Sequence, residues 1–231
     1  MKLSVIIPVY NERQTIREIL KRVTSLQLNH GLEKEIIVID DGSDDGTGEI
    51  LSELKDFLLI RHSLNQGKGA SIRDGLQKSN GDFVIIQDAD LEYDPADINS
   101  LILPLINDRA DVVYGSRFLG KTVRPRMYST HYWGNRILTF VSNFFTGLKL
   151  TDMETGYKAF SRKVVDVIKN NLVSDRFDIE PEITARIKKF RVLEVSIYYE
   201  GRTVEESKKI GWRDGFMAIW SILRFNLRVN Q

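Results

Sequence analysis

Hydrophobic and polar positions in the first 115 residues follow two patterns in turn. Apolar runs at 3–9, 35–40, 57–61, 83–87 and 111–114 are rich in Val and Ile and lack strict alternation. Such runs read as strands buried on both faces. Between them, segments 12–26, 46–54, 69–78 and 96–106 carry apolar residues at helical spacing. Strand and helix in regular succession predict an α/β fold, a mainly parallel sheet flanked by helices and joined by right-handed crossovers. Asn11, Ser43 or Asp44, and Pro95 stand where helices would begin.

The second half is less regular. Residues 151–160 read as a loop feeding a short strand, 179–190 as a helix with Pro181 near its first turn, 192–199 as a strand and 214–228 as a final helix. No repeat, low-complexity stretch or linker divides the chain, so 1–231 is expected to form one domain. Trp133, Ile137, Leu138, Val141, Phe144, Phe145 and Leu148 recur at three- and four-residue steps, with Arg124, Arg126, Arg136 and Lys149 beside them. A second amphipathic stripe, Phe216, Ile219, Trp220, Leu223 and Leu227, lies near Arg213, Arg224 and Arg228. Two readings stand for these stripes: packing on the sheet or on each other, or lying in the headgroup layer of a membrane surface.

Composition narrows the classes. A hydrophobic content of 42% and a charged content of 28% are ordinary for a globular protein with a sizeable core. The net charge of +1 provides no field that would select nucleic acid. The absence of cysteine excludes disulfides, thiolate catalysis and a Cys-based zinc site. The apolar run 3–7 is cut short by Pro8 and the polar residues 11–13, so no signal peptide is expected. The longest uncharged candidate, 137–148, is about half the roughly 20 residues that span a bilayer. The expected location is cytoplasmic, peripheral on the cytoplasmic face of a membrane, without a transmembrane segment.

Candidate chemistry gathers at the carboxyl ends of the strands, where open α/β sheets bind ligands. Pro8-Val9-Tyr10-Asn11-Glu12 follows the first strand, an Asp- and Gly-rich loop from Asp40 to Thr47 follows the second, and Asp88-Ala89-Asp90-Leu91-Glu92 follows the fourth. Turn and cap chemistry accounts for any one such cluster, but three at one edge point to a site. Alternate residues of extended chain point the same way, so Asp88 and Asp90 converge just beyond a buried strand. Two carboxylates there need a compensating charge, and a divalent cation backed by a phosphorylated ligand supplies it. Asp41 is placed to accept from a base N–H and Tyr10 to pack on the ring. Lys68, Arg117, Arg202 and Lys208 are the cations available for phosphates, each with the alternative of being a solvated surface charge. Neither a Walker loop nor a Gly-x-Gly-x-x-Gly follows a strand, and His30, His62 and His131 are scattered.

Ile7-Pro8-Val9-Tyr10-Asn11-Glu12, Val38-Ile39-Asp40-Asp41-Gly42-Ser43, Asn65-Gln66-Gly67-Lys68-Gly69 and Asp88-Ala89-Asp90 together resemble a family 2 glycosyltransferase of the GT-A fold, which is Rossmann-like. Gly115-Ser116-Arg117, the segment from Thr155 to Phe160, and Arg202 with Glu206-Ser207-Lys208 resemble the dolichol-phosphate mannose synthase and polyprenyl-phosphate glycosyltransferase branch. The resemblance covers roughly residues 3–212. It implies that 1–115 bind a nucleotide sugar and 116–231 form an acceptor-binding, membrane-facing half. Pro8, Tyr10, Glu12, Ile39 and Asp41 would hold the nucleoside. Asp88, Asp90 and Glu92 would hold Mg²⁺ or Mn²⁺, with the Ala89 backbone near the donor. Arg202 and Lys208 would clamp the donor diphosphate, and Arg117 would meet the acceptor phosphate. Relatives often carry Gln or Ser at the position of Glu92.

The implied reaction is metal-dependent, inverting transfer of a hexose, mannose or glucose, from GDP-mannose or UDP-glucose to a polyprenyl or dolichyl phosphate. Asp90 and Arg117 would be its catalytic residues. An ionised phosphate nucleophile needs alignment and charge neutralisation but no protein base. If the acceptor were a glycan or small-molecule hydroxyl, Asp152 or Glu154 would be the base, although both also read as loop and cap residues. A non-catalytic nucleotide-sugar-binding subunit is the reading outside enzymes, and a membrane partner subunit is compatible with either.

Overall fold

The computed structural model describes residues 1–120, 129–201 and 212–228. Seven strands form one sheet: β1 (Lys2–Val9), β2 (Glu33–Asp40), β3 (Leu58–Arg61), β4 (Phe83–Ile86), β5 (Val112–Ser116), β6 (Lys158–Ser161) and β7 (Val192–Ser196). Their order is β3-β2-β1-β4-β6-β5-β7. β6 runs antiparallel to both its neighbours, and every other pairing is parallel. The helices are α1 (Ile16–Ser25), α2 (Thr47–Glu53), α3 (Lys68–Lys78), α4 (Ile98–Ile106), α5 (Ser129–Thr146), α6 (Arg162–Ile168), α7 (Ile179–Arg186) and α8 (Trp212–Arg228).

Apolar residues cover both faces of the sheet, which is why the strands read as continuous hydrophobic runs. Val5, Ile7, Ile36 and Val38 pack with Ile16, Ile19, Ile98 and Leu101 on one face. Ile6, Ile37, Ile39 and Ile86 pack with Ile72, Leu76, Ile183 and Ile222 on the other. These side chains are almost completely buried, and truncating one such Ile or Leu to Ala costs about 2–5 kcal/mol.

The five early strands and their crossover helices follow the sequence pattern, but several element boundaries differ and one helix is new. α1 starts at Ile16 rather than at 12, because Asn11 takes a left-handed φ of 56° and Glu12 closes a turn onto Thr15 and Ile16. α2 is preceded by Gly46 at φ 97°, so neither Ser43 nor Asp44 caps it. α6 was not expected: Arg162-Lys163-Val164-Val165-Asp166-Val167-Ile168 is Val-rich and has no helical signal in isolation. Helix 179–190 stops at Arg186 and strand 192–199 at Ser196.

Candidate active site

The loops after β1 and β2 are stitched together. Asn11 donates its N–H to Ser43 Oγ at 3.0 Å and its Nδ2 to Asp44 Oδ1 at 2.8 Å, and Asp44 N–H returns to Asn11 Oδ1 at 3.0 Å. Glu12 N–H donates to Thr47 Oγ1 at 3.0 Å and Arg13 N–H to Asp45 Oδ2 at 3.1 Å. Residues that look like helix caps therefore serve as a clasp between two loops. The clasp fixes one wall of an open cleft of about 630 Å³, lined by Tyr10, Asp40, Ser43, Arg61, His62 and Asn65 among others. That volume lies in the range of small-molecule sites, about 300–1,000 Å³.

Of the two adjacent aspartates, Asp40 lines this cleft, together with Asp44 and Glu49, and Asp41 does not. Successive side chains of β2 alternate faces, and Asp41 turns inward beneath the next loop. Its Oδ1 accepts from Gln66 N–H at 2.9 Å and its Oδ2 from Gly67 N–H at 2.7 Å, with His62 Nδ1 2.7 Å from Oδ1. Asp41 thus holds the Asn65–Gly69 loop, which occupies the acceptors it was expected to offer a base. The Ile39 side chain is fully buried against α3, which leaves its backbone for a nucleoside. Pro8 is half-buried, Tyr10 is exposed at the cleft, and Glu12 Oε2 accepts from Thr15 Oγ1 at 2.7 Å. Asp40 Oδ1 accepts from Ser43 N–H at 3.1 Å, and Arg61 Nε lies 3.9 Å from its Oδ2.

At the end of β4, Asp88 faces a lysine. Lys68 Nζ is 2.8 Å from Asp88 Oδ1 and 3.1 Å from Oδ2, and 3.4 Å from Glu180 Oε1. Burial pulls the Lys68 pKa down, but the Asp88 and Glu180 charges override it and hold the value above its ordinary one. Glu180 also pairs with the buried Lys158, whose ammonium lies over the Tyr114 ring. The chain of charges Asp88, Lys68, Glu180, Lys158 joins β4 to α3, α7 and β6. Glycines permit this closeness. A Cβ on Gly156 would collide with Asp88 Oδ2 and lie 2.8 Å from Lys68 Nζ, and one on Gly67 or Gly69 would collide with the backbone of 174–175. Glu180 and Gly156 were missed as site residues. Their only sequence signal was the segment around Gly156, since helix α7 carries no visible chemistry of its own.

Asp90 Oδ1 accepts from Glu92 N–H at 3.1 Å across a turn in which Leu91 has a φ of 62°. Glu92 Oε2 accepts from Tyr199 OH at 2.9 Å, which directs that carboxylate to β7's continuation. Ala89 is buried between them. Among the described residues, no group of three or more His, Asp or Glu is gathered for a metal, so Asp88, Asp90 and Glu92 are not a preformed cage. Two hard carboxylates still match the usual magnesium site, which takes one or two from the protein and the rest from substrate phosphates and water.

Arg117 follows β5. Its Nε and Nη2 donate to Asp152 Oδ2 and Oδ1 at 2.7 and 2.8 Å, and Tyr199 places its ring 5.2 Å away. Asp152 also accepts from Asn135 Nδ2 of α5 at 3.2 Å. Asp152 is therefore a structural anchor, in line with its reading as a loop residue. Glu154 differs: burial, with the Glu180 charge next, pushes its pKa up to about 7. Arg202 and Lys208 lie outside the described residues, as do Arg124 and Arg126.

The two helical stripes divide. On α5, Leu138, Val141 and Phe145 pack toward the core, as does Leu148 just beyond its end, while Trp133, Ile137, Phe140 and Phe144 are exposed and Asn135, Thr139 and Ser142 are buried. On α8, Ile222 and Phe225 are buried, whereas Met217, Trp220 and Leu227 are exposed. Among the described residues, no helix is long and apolar enough to cross a membrane.

A mainly parallel sheet of this order, with one antiparallel strand beside β4 and polar loops at its carboxyl edge, is the GT-A arrangement. The chain belongs to glycosyl transferase family 2, which matches residues 4–169. It is 33% identical over 216 residues to a UDP-N-acetylglucosamine–dolichyl-phosphate N-acetylglucosaminyltransferase of Methanococcus voltae, covering 84% of each chain. It is 32% identical over 217 residues to a dolichol-phosphate mannosyltransferase of Pyrococcus furiosus, covering 91% of this chain and 60% of that one. These relatives lie in the polyprenyl-phosphate branch. Among solved structures, glucosyl-3-phosphoglycerate synthase of Mycobacterium tuberculosis, in complex with Mn²⁺, UDP and phosphoglyceric acid, superposes with a TM-score of 0.73. At 19% identity, covering 97% of this chain and 78% of that one, it shares the fold.

Proposed function

We propose that this protein transfers a sugar from a nucleoside diphosphate sugar to a polyprenyl phosphate, with inversion at the anomeric carbon. The observation that carries this reading is the adjacency, along one sheet edge, of the Tyr10–Asp40 cleft, the Asp88–Lys68 pair and the Arg117–Asp152 pair. A nucleoside in the cleft directs its diphosphate toward Asp88, Asp90 and Lys68. Asp88 and Asp90 would hold Mg²⁺ or Mn²⁺, which neutralises the leaving diphosphate. Lys68 already supplies a positive charge to Asp88 and shares the diphosphate when donor enters.

An acceptor phosphate has a second pKa of about 6 and is mostly ionised at neutral pH. Its oxygen attacks the anomeric carbon while the bond to the diphosphate oxygen breaks on the opposite face, so no proton need be removed. Arg117, aligned by Asp152, offers its remaining guanidinium edge to that phosphate. The resemblance to both a GlcNAc and a mannose transferase supports the acceptor class more than any one sugar. A hydroxyl acceptor would instead need a base; Asp152 is committed to Arg117, which leaves Glu154. The exposed apolar faces of α5 and α8 support peripheral docking on a membrane that presents the lipid.

The test is a donor panel (UDP-glucose, UDP-N-acetylglucosamine, GDP-mannose) offered with a short-chain polyprenyl phosphate and Mn²⁺, read by product mass. A glycosyl phospholipid from one donor supports the reading. Transfer confined to hydroxyl acceptors overturns it.

A further inference from the structure

Two carboxylate oxygens near this site have no hydrogen-bond donor. Glu154 Oε1 and Glu180 Oε1 are both shielded from solvent and accept no hydrogen bond among the described residues. Glu180 Oε2 is taken by Lys158, while its Oε1 has only the Lys68 ammonium, at 3.4 Å. Glu154 belongs to the loop that carries Gly156 past Asp88, and the charges of Glu154 and Glu180 act on one another. A shielded acceptor without a donor is destabilising, and native chains keep few of them. Here two fall together, beside the residues that would bind the diphosphate. Lys68 and Asp88 keep 18% and 17% of their side-chain surface exposed, so the group opens to solvent on that side.

We propose that Glu154 and Glu180 form the subsite for the transferred sugar, each accepting a hydrogen bond from a hydroxyl or amide N–H of an uncharged ring, and that they reject sugars bearing a carboxylate. The inference rests on the donor reading given above. A sugar hydroxyl supplies the O–H that each oxygen lacks. The ring of a sugar whose diphosphate is held at Lys68 and Asp88 lies within a few ångströms of that anchor, where Glu180 already stands. A uronic acid would add a carboxylate beside Glu180 and beside Glu154, whose pKa of about 7 leaves it partly ionised at neutral pH, a like-charge arrangement that weakens its binding. Nothing in the pair distinguishes glucose from mannose. It distinguishes neutral from acidic donors.

Binding calorimetry on the full chain with Mn²⁺ tests this with two matched series: UDP, UDP-glucose and UDP-glucuronate, and GDP, GDP-mannose and GDP-mannuronate. In the series that binds, the neutral sugar nucleotide is expected to bind at least about tenfold tighter than the acidic one. Glu154→Gln, which touches no ion pair, is expected to weaken the neutral sugar nucleotide about tenfold while leaving the bare diphosphate within about twofold, and Glu180→Gln, which also removes a charge from Lys68, to weaken the neutral sugar nucleotide about tenfold more than the bare diphosphate. Equal affinity for neutral and acidic donors, or variants that leave the sugar nucleotide unchanged, overturn the proposal and leave the donor reading standing. Variants that weaken the bare diphosphate as much as the sugar nucleotide also overturn it, because they assign the acids to the diphosphate. No binding of any nucleotide to wild type overturns both. A Glu154 acting as base would instead lower kcat, leave donor affinity unchanged and remove the acidic limb of the pH profile.

Discussion

Arg117 grips Asp152 through two parallel hydrogen bonds of 2.7 and 2.8 Å, and a third, from the Arg117 backbone N–H, closes the pair at 3.1 Å. Asp152 is fully buried and the Arg117 side chain nearly so. The same carboxylate receives Asn135 from α5, and Thr139 of that helix accepts Met153 N–H at 3.0 Å. The inward polar face of α5 is thus bonded to the loop that orients the proposed acceptor cation. Its outward face is apolar and exposed.

Removing Asp152 would leave a buried guanidinium without its counter-charge. Breaking a buried pair from one side costs about 3–5 kcal/mol, so Asp152→Ala is expected to lose about that much in urea unfolding. A double variant, Arg117→Met with Asp152→Leu, should recover most of the loss, because the stranded charge goes with it. A loss below about 1 kcal/mol for the single variant would mean the pair is solvated and screened like a surface bridge.

Much of the fold was legible because doubly buried strands announce themselves as Val- and Ile-rich runs. The antiparallel direction of β6 was not, since hydrophobic periodicity is blind to strand direction. Nor was α6, whose β-branched residues become helical only against β4 and β6. The candidate site was legible only as polar residues at strand ends: Asp88 and Asp90 do follow β4. The sequence reading points to Asp41 for the base N–H, whereas Asp40 lines the cleft, because adjacent residues of a strand face opposite ways. Glu180 joins the site through tertiary packing of α7, which no local pattern encodes. The α5 stripe was real, but helical spacing alone does not say which part of a broad apolar arc meets the core.

Asp90→Ala is expected to abolish transfer in an assay supplemented with Mn²⁺ while leaving the thermal midpoint nearly unchanged. Gly156→Ala should be as inactive for a different reason: its new Cβ collides with Asp88 Oδ2 and presses on Lys68. Both displaced atoms are ends of flexible side chains that can shift at low cost, so neither variant should lower the melting midpoint much. Substantial turnover by Asp90→Ala would refute the metal-site assignment.

His62 places one ring nitrogen 2.7 Å from Asp41 and the other 2.9 Å from Asp74. Burial alone would lower its pKa, but hydrogen bonds to both carboxylates raise it above the ordinary 6.5. Only the imidazolium can donate to both acids; the neutral ring must turn a lone pair toward one of them. The folded value is the higher one. The stabilisation is therefore complete below the unfolded pKa, about 6.5, and is lost as pH rises through the folded pKa. The melting-point gap between wild type and His62→Gln should narrow steadily between pH 6 and pH 9. A gap that stays constant would show that the ring is neutral throughout.

Phe140 and Phe144 are 72% and 78% exposed on α5, on the same side as Trp133 and Ile137. In water these rings add nothing to folding, because they bury little surface in the monomer. Replacing both with Glu should leave the melting midpoint and nucleotide affinity near wild type. On a bilayer the account reverses. Full burial of two such rings would contribute about 3–6 kcal/mol, of which partial insertion at the interface recovers a fraction. Co-sedimentation with anionic vesicles is therefore expected to fall by at least about tenfold in the double variant. The emission of Trp133 and Trp220 should shift to the blue on mixing wild type with vesicles and much less with the variant, because the helix bearing Trp133 no longer inserts. Vesicle binding equal to wild type would assign the exposed face to a protein partner instead of lipid.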